Sequence, residues 1–174
     1  MTISEIPRVL ESLGVSYALI GGHAVILRGY VRMTVDFDFL TTAREVLSDS
    51  AWDSLKGAEV DVRMGDDDDP FRGVVHIRLA DGTEADVLVG RWKWEQGVID
   101  RAEPMEVEGV SLPVPRVSDL ILLKLAAGGH HDLRDAAILL EISDRKRVIE
   151  EVETHIEAVR PDVRETWQQL LSAT

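Results

Sequence analysis

The amino-acid sequence predicts an α+β fold, with a mixed sheet of about four or five strands flanked by helices and followed by a C-terminal helical bundle. Three observations predict it. Several segments alternate between apolar and polar residues, one strand runs through a Gly-Gly turn into a helix, and helical periodicity dominates the last third of the chain. With 174 residues, the chain has about the length of one domain.

The N-terminal part is predicted to form a helix, a strand and a second helix. Apolar residues of the first helix recur at i, i+3, i+4 and i+7, at Ile6, Val9, Leu10 and Leu13. Gly14 ends this helix, and residues 15–20 are predicted to form a buried strand. Gly21 and Gly22 then break the strand, and the residues after them return to helical spacing.

Residues 34–40 alternate as a strand does when it is buried on one side. Val35, Phe37 and Phe39 fall on one face of this predicted strand, whereas Asp36 and Asp38 fall on the other. The two carboxylates are therefore expected to project together from the face that is not the core.

The middle of the chain is predicted to complete the sheet. A helix is expected over residues 43–56, followed by half-buried strands near residues 60–64, 75–79 and 85–89. Asp81-Gly82 lies between the last two strands and is the strongest short signal for a hairpin.

The remainder is predicted to be mostly helical. A helix near residues 93–101 and a hairpin near residues 105–114, with its turn at Glu108-Gly109, precede three or four helices between residues 118 and 172. Ser118 is a candidate N-cap, and Pro161 breaks the chain before the last helix. We expect a core at residues 1–115 and a helical region at residues 116–174 packed on it, without a clean linker.

Composition and charge exclude several classes of protein. The net charge of −13 excludes an even basic coat, so nonspecific DNA binding is not expected. The absence of cysteine excludes a disulfide scaffold, thiolate zinc sites and a cysteine nucleophile. The N-terminus does not have the pattern of a signal peptide, and no apolar run reaches the ~20 residues that span a bilayer. A soluble, cytoplasmic protein with no membrane partner is expected.

Three aspartates are candidate metal ligands. Asp36 and Asp38 are two residues apart on a strand, so their side chains would start about 6–7 Å apart on one face. Asp86 shares this arrangement, because Ala85 and Val87 face the opposite way. Carboxylates from neighbouring strands suit Mg²⁺, which prefers hard oxygen ligands, and a pair of such ions suits phosphoryl chemistry. The alternative is a strand with solvated acids on its outer face.

The Gly-Gly turn adds a second signal. A strand that ends in Gly21-Gly22 and opens a helix can present free N–H groups and the positive end of the helix dipole to a phosphate. Taken alone, the turn is equally consistent with a simple tight turn. Together, the two features predict a phosphate site one helix away from a metal pair.

Residues 18–40 (ALIGGHAVILRGYVRMTVDFDFL) resemble the signature of the polymerase-beta-type nucleotidyltransferase superfamily. The similarity is greatest to a small bacterial branch related to the abortive-infection (AbiEii-like) toxin nucleotidyltransferases. That branch has a Gly-Gly or Gly-Ser turn, a helix, an Arg-x-Thr and an Asp-x-Asp, matched here by Gly21, Gly22, Arg32, Thr34, Asp36 and Asp38. This chain has the Gly-Gly form, so it lacks the hydroxyl of the Gly-Ser form.

Two further blocks extend the resemblance to about residues 5–142. A later aspartate of the family matches Asp86. Residues 120–135 resemble a helical Lys-x-x-Ala-Gly…Asp-x-x-Asp segment that contains Lys124 and Asp135. The resemblance implies that Asp36, Asp38 and Asp86 hold two Mg²⁺ ions and that Asp86 helps to deprotonate the acceptor. It also implies that Gly21, Gly22, Lys124 and Arg32 contact the triphosphate of an NTP donor, and it includes Asp135 among the nucleotide-binding residues.

Lys124, Asp135 and Arg32 can also be explained without a ligand. Lys124 and Asp135 each share a helical stripe with apolar residues, and a buried charge is costly without a partner. Lys124 is therefore expected to pair with Asp135 or Asp132, to contact a phosphate, or to do both. Arg32 is either a phosphate contact or a surface arginine.

The predicted function is Mg²⁺-dependent transfer of a nucleoside monophosphate from an NTP to an acceptor hydroxyl, with release of pyrophosphate. The resemblance suggests a toxin-like enzyme that acts on tRNA or a protein and has an antitoxin partner. A tRNA acceptor would need a basic patch, for which the candidates are Arg28, Arg32, Lys124, Arg134 and residues 145–147. The alternatives are a small-molecule nucleotidyltransferase of the antibiotic-modifying type, favoured by the acidic balance, and a catalytically silent nucleotide-sensing or protein-interaction module.

Overall fold

A computed structural model describes residues 3–173. It confirms the α+β class, since a five-stranded mixed sheet is combined with helices at both ends of the chain. The elements up to the fifth strand are α1 (Glu5–Ser12), β1 (Tyr17–Ile20), α2 (Gly21–Leu27), β2 (Phe37–Thr41), β3 (Glu59–Met64), β4 (Gly73–Arg78) and β5 (Glu84–Val89). They are followed by α3 (Lys93–Asp100), β6 (Glu103–Val107), β7 (Val110–Val114), α4 (Val117–Ala127), α5 (His130–Ile142), α6 (Arg145–His155) and α7 (Pro161–Ala173).

The sheet has the order β1-β2-β5-β4-β3. Strands β2 and β5 pair in parallel at its centre, and the other neighbouring pairs are antiparallel. The predicted Asp81-Gly82 hairpin joins β4 to β5, and the predicted hairpin turn at Glu108-Gly109 joins β6 to β7. Both residues of the second turn have positive φ, as a tight hairpin turn of this kind requires.

The two faces of the sheet differ in how they are covered. One face is apolar and packs on the main core, where Phe37, Phe39 and Val87 are buried. On the other face, Leu40 packs with Ile99 of α3, and Leu123 of α4 packs against this cluster. Asp38 and Asp86 lie on this second face, two residues before Leu40 and Leu88. The part of the face that carries the two aspartates is therefore next to the part that α3 and α4 cover.

The segment before β2 differs from the prediction. The strand begins at Phe37, so Asp36 lies just outside it, and Val35 is 78% exposed rather than buried beside Phe37. The apolar–polar alternation therefore holds within the strand and stops at its first residue.

Residues 43–56 form two short 3₁₀ helices, Arg44–Leu47 and Asp49–Trp52, and the predicted α-helix is wrong. Ser48 between them has extended backbone angles, which no continuous helix tolerates. The buried Trp52 indole donates a hydrogen bond to the Val46 carbonyl at 2.8 Å and fixes the two turns against each other.

The C-terminal part contains four α-helices in the described residues, and Pro161 begins the last of them. Ser118 is not the N-cap that the sequence suggests, because α4 already begins at Val117. The Ser118 hydroxyl instead donates to Glu151 of α6 at 2.8 Å. Across residues 3–173, no helix combines the length and the apolar character that crossing a bilayer requires.

Candidate active site

A row of polar residues crosses the middle of the sheet. Asp38 of β2 is in register with Asp86 of β5, and Asp86 is in register with His76 of β4. Because partners in register present their side chains on the same face, the two carboxylates and the imidazole form one line on the acidic end of the open face.

The Gly21-Gly22 turn lies directly against Asp38. A Cβ atom at Gly21 would lie 1.8 Å from Asp38 Oδ2, and the backbone of Gly21 has a φ of +64°. Both the space and the backbone conformation therefore require glycine here. At Gly22, a Cβ atom would lie 2.4 Å from the Thr34 hydroxyl oxygen and 3.0 Å from an Arg32 guanidinium nitrogen. The Arg-x-Thr segment thus closes over the turn.

The pKa of Asp38 is raised to about 6, and burial is the largest cause. The negative charges of Asp86 and Asp36 also act to raise it, whereas the Lys124 ammonium and a hydrogen bond from the Gly22 N–H act to lower it. Burial and like charges destabilise the ionised form of this carboxylate, and a bound cation would stabilise that form. The electrostatics of this site therefore favour a divalent ion.

Asp36 stands at the edge of this arrangement. It is exposed, and its backbone carbonyl accepts a hydrogen bond from His23 Nδ1 at 3.0 Å. The His23 ring stacks on Phe37 with a centroid distance of 3.8 Å. His23 thus ties the start of α2 to the start of β2 and fixes the backbone that carries Asp36.

Lys124 and Asp135 are joined in one charged cluster with two other predicted residues. Lys124 Nζ lies 2.7 Å from Asp132 Oδ1 and 3.1 Å from Asp135 Oδ2. Asp135 Oδ2 also lies 3.2 Å from Arg32 Nη2. Side-chain exposure is 11% for Lys124 and 4% for Asp135, so the buried carboxylate is compensated by two cations. Both ion pairs weighed from the sequence, with Asp135 and with Asp132, are present.

His76 is a residue that the functional reading of the sequence missed. Its Nδ1 lies 2.6 Å from Asp86 Oδ1, and its side chain is 40% exposed. Counting outward from the Asp81-Gly82 turn pairs residue 78 with 84 and residue 76 with 86. The predicted hairpin was therefore enough to place His76 beside Asp86.

Asp38 and Asp86 offer hard oxygen ligands of the kind that Mg²⁺ prefers. Within residues 3–173, however, no group of three or more carboxylate or imidazole side chains is drawn together closely enough to hold a metal ion as it stands. The donor chemistry fits Mg²⁺, and the exposed Asp36 is the member of the predicted triad that the strand does not fix.

An open bay of about 510 Å³ lies beside Asp86 on the same face. Its acidic lining and its histidine come from β3, β4, β5 and the residue before β2: Asp36, Glu59, Asp61, His76, Glu84 and Asp86. Two arginines also line it, but Arg63 pairs with Asp61 at 2.8 Å and Arg78 pairs with Glu84 at 2.5 Å. Acids thus outnumber basic residues in the bay.

The basic patch suggested for a tRNA acceptor is partly used inside the fold. Arg28, whose side chain is 15% exposed, donates to the carbonyls of Pro115 and Val114 and pairs with Glu103. Arg147 pairs with Glu151 one helical turn away. Arg28 therefore has a structural role and does not belong to a free basic surface.

No protein-family model matches the sequence, and no curated protein matches it either. Among solved structures, the fold is similar to that of the antibiotic-resistance factor ANT(2'')-Ia in solution, with 15% identity, a TM-score of 0.56, and coverage of 87% of this chain and 88% of that one. It is also similar to an antigenic nucleotidyltransferase-like protein from Paracoccidioides brasiliensis, with 16% identity, a TM-score of 0.52, and coverage of 95% and 90%.

A third similar structure is the lincosamide antibiotic adenylyltransferase LnuA bound to lincomycin. It shares 16% identity and a TM-score of 0.51, over 81% of this chain and 96% of that one. Identities at this level establish a shared architecture and leave activity to be argued from the site. The fold of this chain is the nucleotidyltransferase fold.

Proposed function

We propose that this protein is a Mg²⁺-dependent nucleotidyltransferase that moves a nucleoside monophosphate from an NTP to an acceptor hydroxyl. The observation that carries the proposal is the alignment of Asp38 and Asp86 on adjacent parallel strands, with a Gly-Gly turn packed directly on Asp38. A silent interaction module has no need to hold two carboxylates side by side at the cost of a raised pKa.

In the proposed reaction, the acceptor oxygen forms a bond to the α-phosphorus while the bond from that phosphorus to the β-phosphate bridging oxygen breaks. Pyrophosphate leaves, and the acceptor proton passes to a carboxylate such as Asp86. When bound, Mg²⁺ supplies charge compensation for the phosphates and polarises the acceptor hydroxyl. Asp38, Asp86 and Asp36 would hold the metal.

The chain's own groups would orient the triphosphate. The turn at Gly21 and Gly22, where α2 begins, packs on Asp38. Lys124 and Arg32 both contact Asp135, and Arg32 also lies against Gly22. Asp135 keeps the two cations together, so they are placed before the nucleotide arrives. Catalysis would then rest on positioning and electrostatics.

The open bay favours a small cationic acceptor. It adjoins Asp86, and its acids outnumber its arginines, which are themselves paired within the sheet. ANT(2'')-Ia and LnuA, which share the fold, are named for antibiotic resistance and antibiotic adenylylation. A tRNA or protein acceptor, as the sequence resemblance implies, remains the other arm of the proposal and is tested in the same experiment.

The test is a labelling panel. Each of the four α-labelled NTPs is offered with Mg²⁺ to aminoglycosides, total tRNA and lysate protein. We expect transfer of label to one acceptor class by the wild type, and none by Asp38→Asn or Asp36→Ala variants that remain folded by circular dichroism. Full transfer by a folded Asp36→Ala/Asp38→Asn double variant would overturn the carboxylate mechanism, and absence of label on every acceptor together with no NTP-dependent thermal shift would favour the silent module.

The proposed toxin role has a separate test. Expression of the wild-type chain in a bacterial host should arrest growth, and Asp38→Asn should relieve the arrest at equal protein level. An antitoxin partner should then be recoverable as a protein whose co-expression restores growth. Normal growth with active wild-type enzyme would remove the toxin role while leaving the transferase proposal intact.

A further inference from the structure

The Asp86 carboxylate has a partner on the side away from Asp38. His76 Nδ1 lies 2.6 Å from Asp86 Oδ1, and the two residues are in register across β4 and β5. We propose that His76 is a positioning residue that holds Asp86 in the orientation needed to bind metal beside the acceptor. The inference rests on the proposed function, because it assigns Asp86 a ligand role.

The hydrogen atom in this contact can be assigned by elimination. An ionised carboxylate has only acceptor atoms, so Nδ1 of the imidazole must carry the hydrogen and donate it. The distance of 2.6 Å makes this a short hydrogen bond, and bonds that an ionised carboxylate accepts are shorter than neutral ones. The bond occupies Asp86 Oδ1 and leaves Oδ2 available to a cation.

Asp86 needs such a partner because Asp38 lies next to it on the other side. The two carboxylates repel each other, and this repulsion adds to burial, the larger cause, in raising the pKa of Asp38. A carboxylate on a half-open face can rotate away from a like charge. The His76 hydrogen bond fixes its orientation and so keeps both carboxylates directed at one site.

The pair is poorly placed to serve stability alone. The side chains of His76 and Asp86 are 40% and 37% exposed, and a hydrogen-bonded polar pair at this exposure contributes little to folding. The same hairpin contains a second pair of this kind, Arg78 with Glu84, which is one same-face position closer to the turn. That second pair provides a matched control, since it joins the same two strands without touching either central carboxylate.

The experiment measures metal binding directly. Mn²⁺ is titrated into the wild-type protein and its variants, and free Mn²⁺ is followed by electron paramagnetic resonance; site-specific binding is the part that Asp38→Asn abolishes. We expect His76→Ala to weaken this binding by about 10–100-fold, the effect usual for loss of a group that orients a metal ligand. His76→Asn should retain most of the affinity, because its amide N–H falls close to the position of Nδ1–H. Arg78→Ala should not weaken Mn²⁺ binding, because Arg78 contacts neither Asp38 nor Asp86 and its removal takes away a positive charge.

The outcomes separate this inference from the proposed function. Asp38-dependent binding that is equal in wild type and His76→Ala would overturn the positioning role and leave the transferase proposal standing. Rescue by His76→Gln in place of His76→Asn would also overturn it, because that amide mimics Nε2. Absence of any Asp38-dependent Mn²⁺ binding in the wild type would overturn both. Urea unfolding of His76→Ala should match that of Arg78→Ala, so a loss of metal affinity with normal stability supports the inference.

Discussion

Asp38 is the side chain of the site whose ionised form is least favourable. It is enclosed by the Gly21-Gly22 turn, faces Asp86 across the parallel strand pair, and receives its stabilisation from Lys124 and the Gly22 N–H. A site that is built to bind a cation is expected to be less stable without it. Substitutions at this position can therefore separate stability from function.

We expect Asp38→Asn to stabilise the metal-free protein. The pKa of Asp38 is about 6 in the folded state, above its usual value of 3.8, so the folded chain holds the proton more tightly than the unfolded chain. Wild-type stability should fall as pH rises from about 4 to about 6 and stay lower above that range. The asparagine variant lacks this slope and should be more stable at pH 8 by about 3 kcal/mol.

Urea unfolding at pH 4 and pH 8 without divalent ions measures this difference. Asp53→Asn, at an exposed position, is the control and should change stability little at either pH. Parallel pH dependences for wild type and Asp38→Asn would show that Asp38 is not under the repulsion described here.

Gly21→Ala tests the close approach of the turn to Asp38. Alanine at a φ of +64° carries a backbone penalty of about 1–2 kcal/mol, and its Cβ would overlap Asp38 Oδ2. Gly14→Ala introduces the same penalty at a φ of +70°, where nothing lies within 4 Å of the added Cβ. We expect Gly21→Ala to be the more destabilising in urea unfolding, and only Gly21→Ala to lose Asp38-dependent Mn²⁺ binding. Equal losses of stability with retained binding would contradict the packing role of Gly21.

At the scale of elements, the sequence predicts strands better than it predicts their ends. The alternation of Phe37 and Phe39 with Asp38 identifies β2, because a buried face imposes a period of two. The two-residue period does not show where strand pairing stops. Val35 continues the apolar–polar alternation in the sequence but is exposed in the structure. The backbone of Asp36 is held instead by His23, a contact between residues 13 apart that no local pattern encodes.

The failed helix at residues 43–56 has a similar cause. Its buried residues, Val46, Trp52 and Leu55, lie six and three residues apart, and a six-residue step does not return to the same face of an α-helix. Between them lie Ser48 and Asp49, residue types whose side chains compete for backbone hydrogen bonds and favour turns. The structure has two short turns in place of the predicted helix, and the Trp52 indole joins them by its hydrogen bond to the Val46 carbonyl.

The start of α3 depends on one buried acid. Glu95 Oε2 accepts hydrogen bonds from the backbone N–H groups of Arg91 at 2.6 Å and Trp92 at 2.7 Å, and the residue is 3% exposed. Glu95→Ala would remove the charged acceptor of both N–H groups, so we expect a loss of about 2–3 kcal/mol in the free energy of unfolding. Lys93→Ala on the exposed side of the same helix is the control. Urea unfolding measures both, and similar small losses would mean that solvent replaces the Glu95 contacts.

At the scale of the whole molecule, the site is assembled by contacts between distant parts of the chain. Arg32 precedes β2, Lys124 belongs to α4, and Asp132 and Asp135 belong to α5, yet their charged atoms form one cluster. The sequence predicted this cluster only in part. A charged residue on an apolar helical stripe needs an oppositely charged partner, but the pattern does not identify that partner. That Arg32 joins the cluster follows from the path of the chain over Gly22.

This cluster sets how available Lys124 is to a nucleotide. Asp135 is buried and holds both cations, whereas Asp132 is 27% exposed and holds Lys124 alone. A phosphate that approaches Lys124 must therefore compete with Asp132. Removing the Asp132 charge should weaken the competitor without dissolving the cluster.

We accordingly expect Asp132→Asn to bind nucleotide more tightly than the wild type. A partly exposed ion pair is worth at most about 1 kcal/mol, so the dissociation constant for a fluorescent ATP analogue should fall by up to about fivefold. Asp162→Asn removes the same kind of charge from an exposed pair with Arg160 and should leave nucleotide affinity unchanged. Weaker binding by Asp132→Asn would show that this carboxylate helps to present Lys124, and would reverse the order of importance argued here for Asp132 and Asp135.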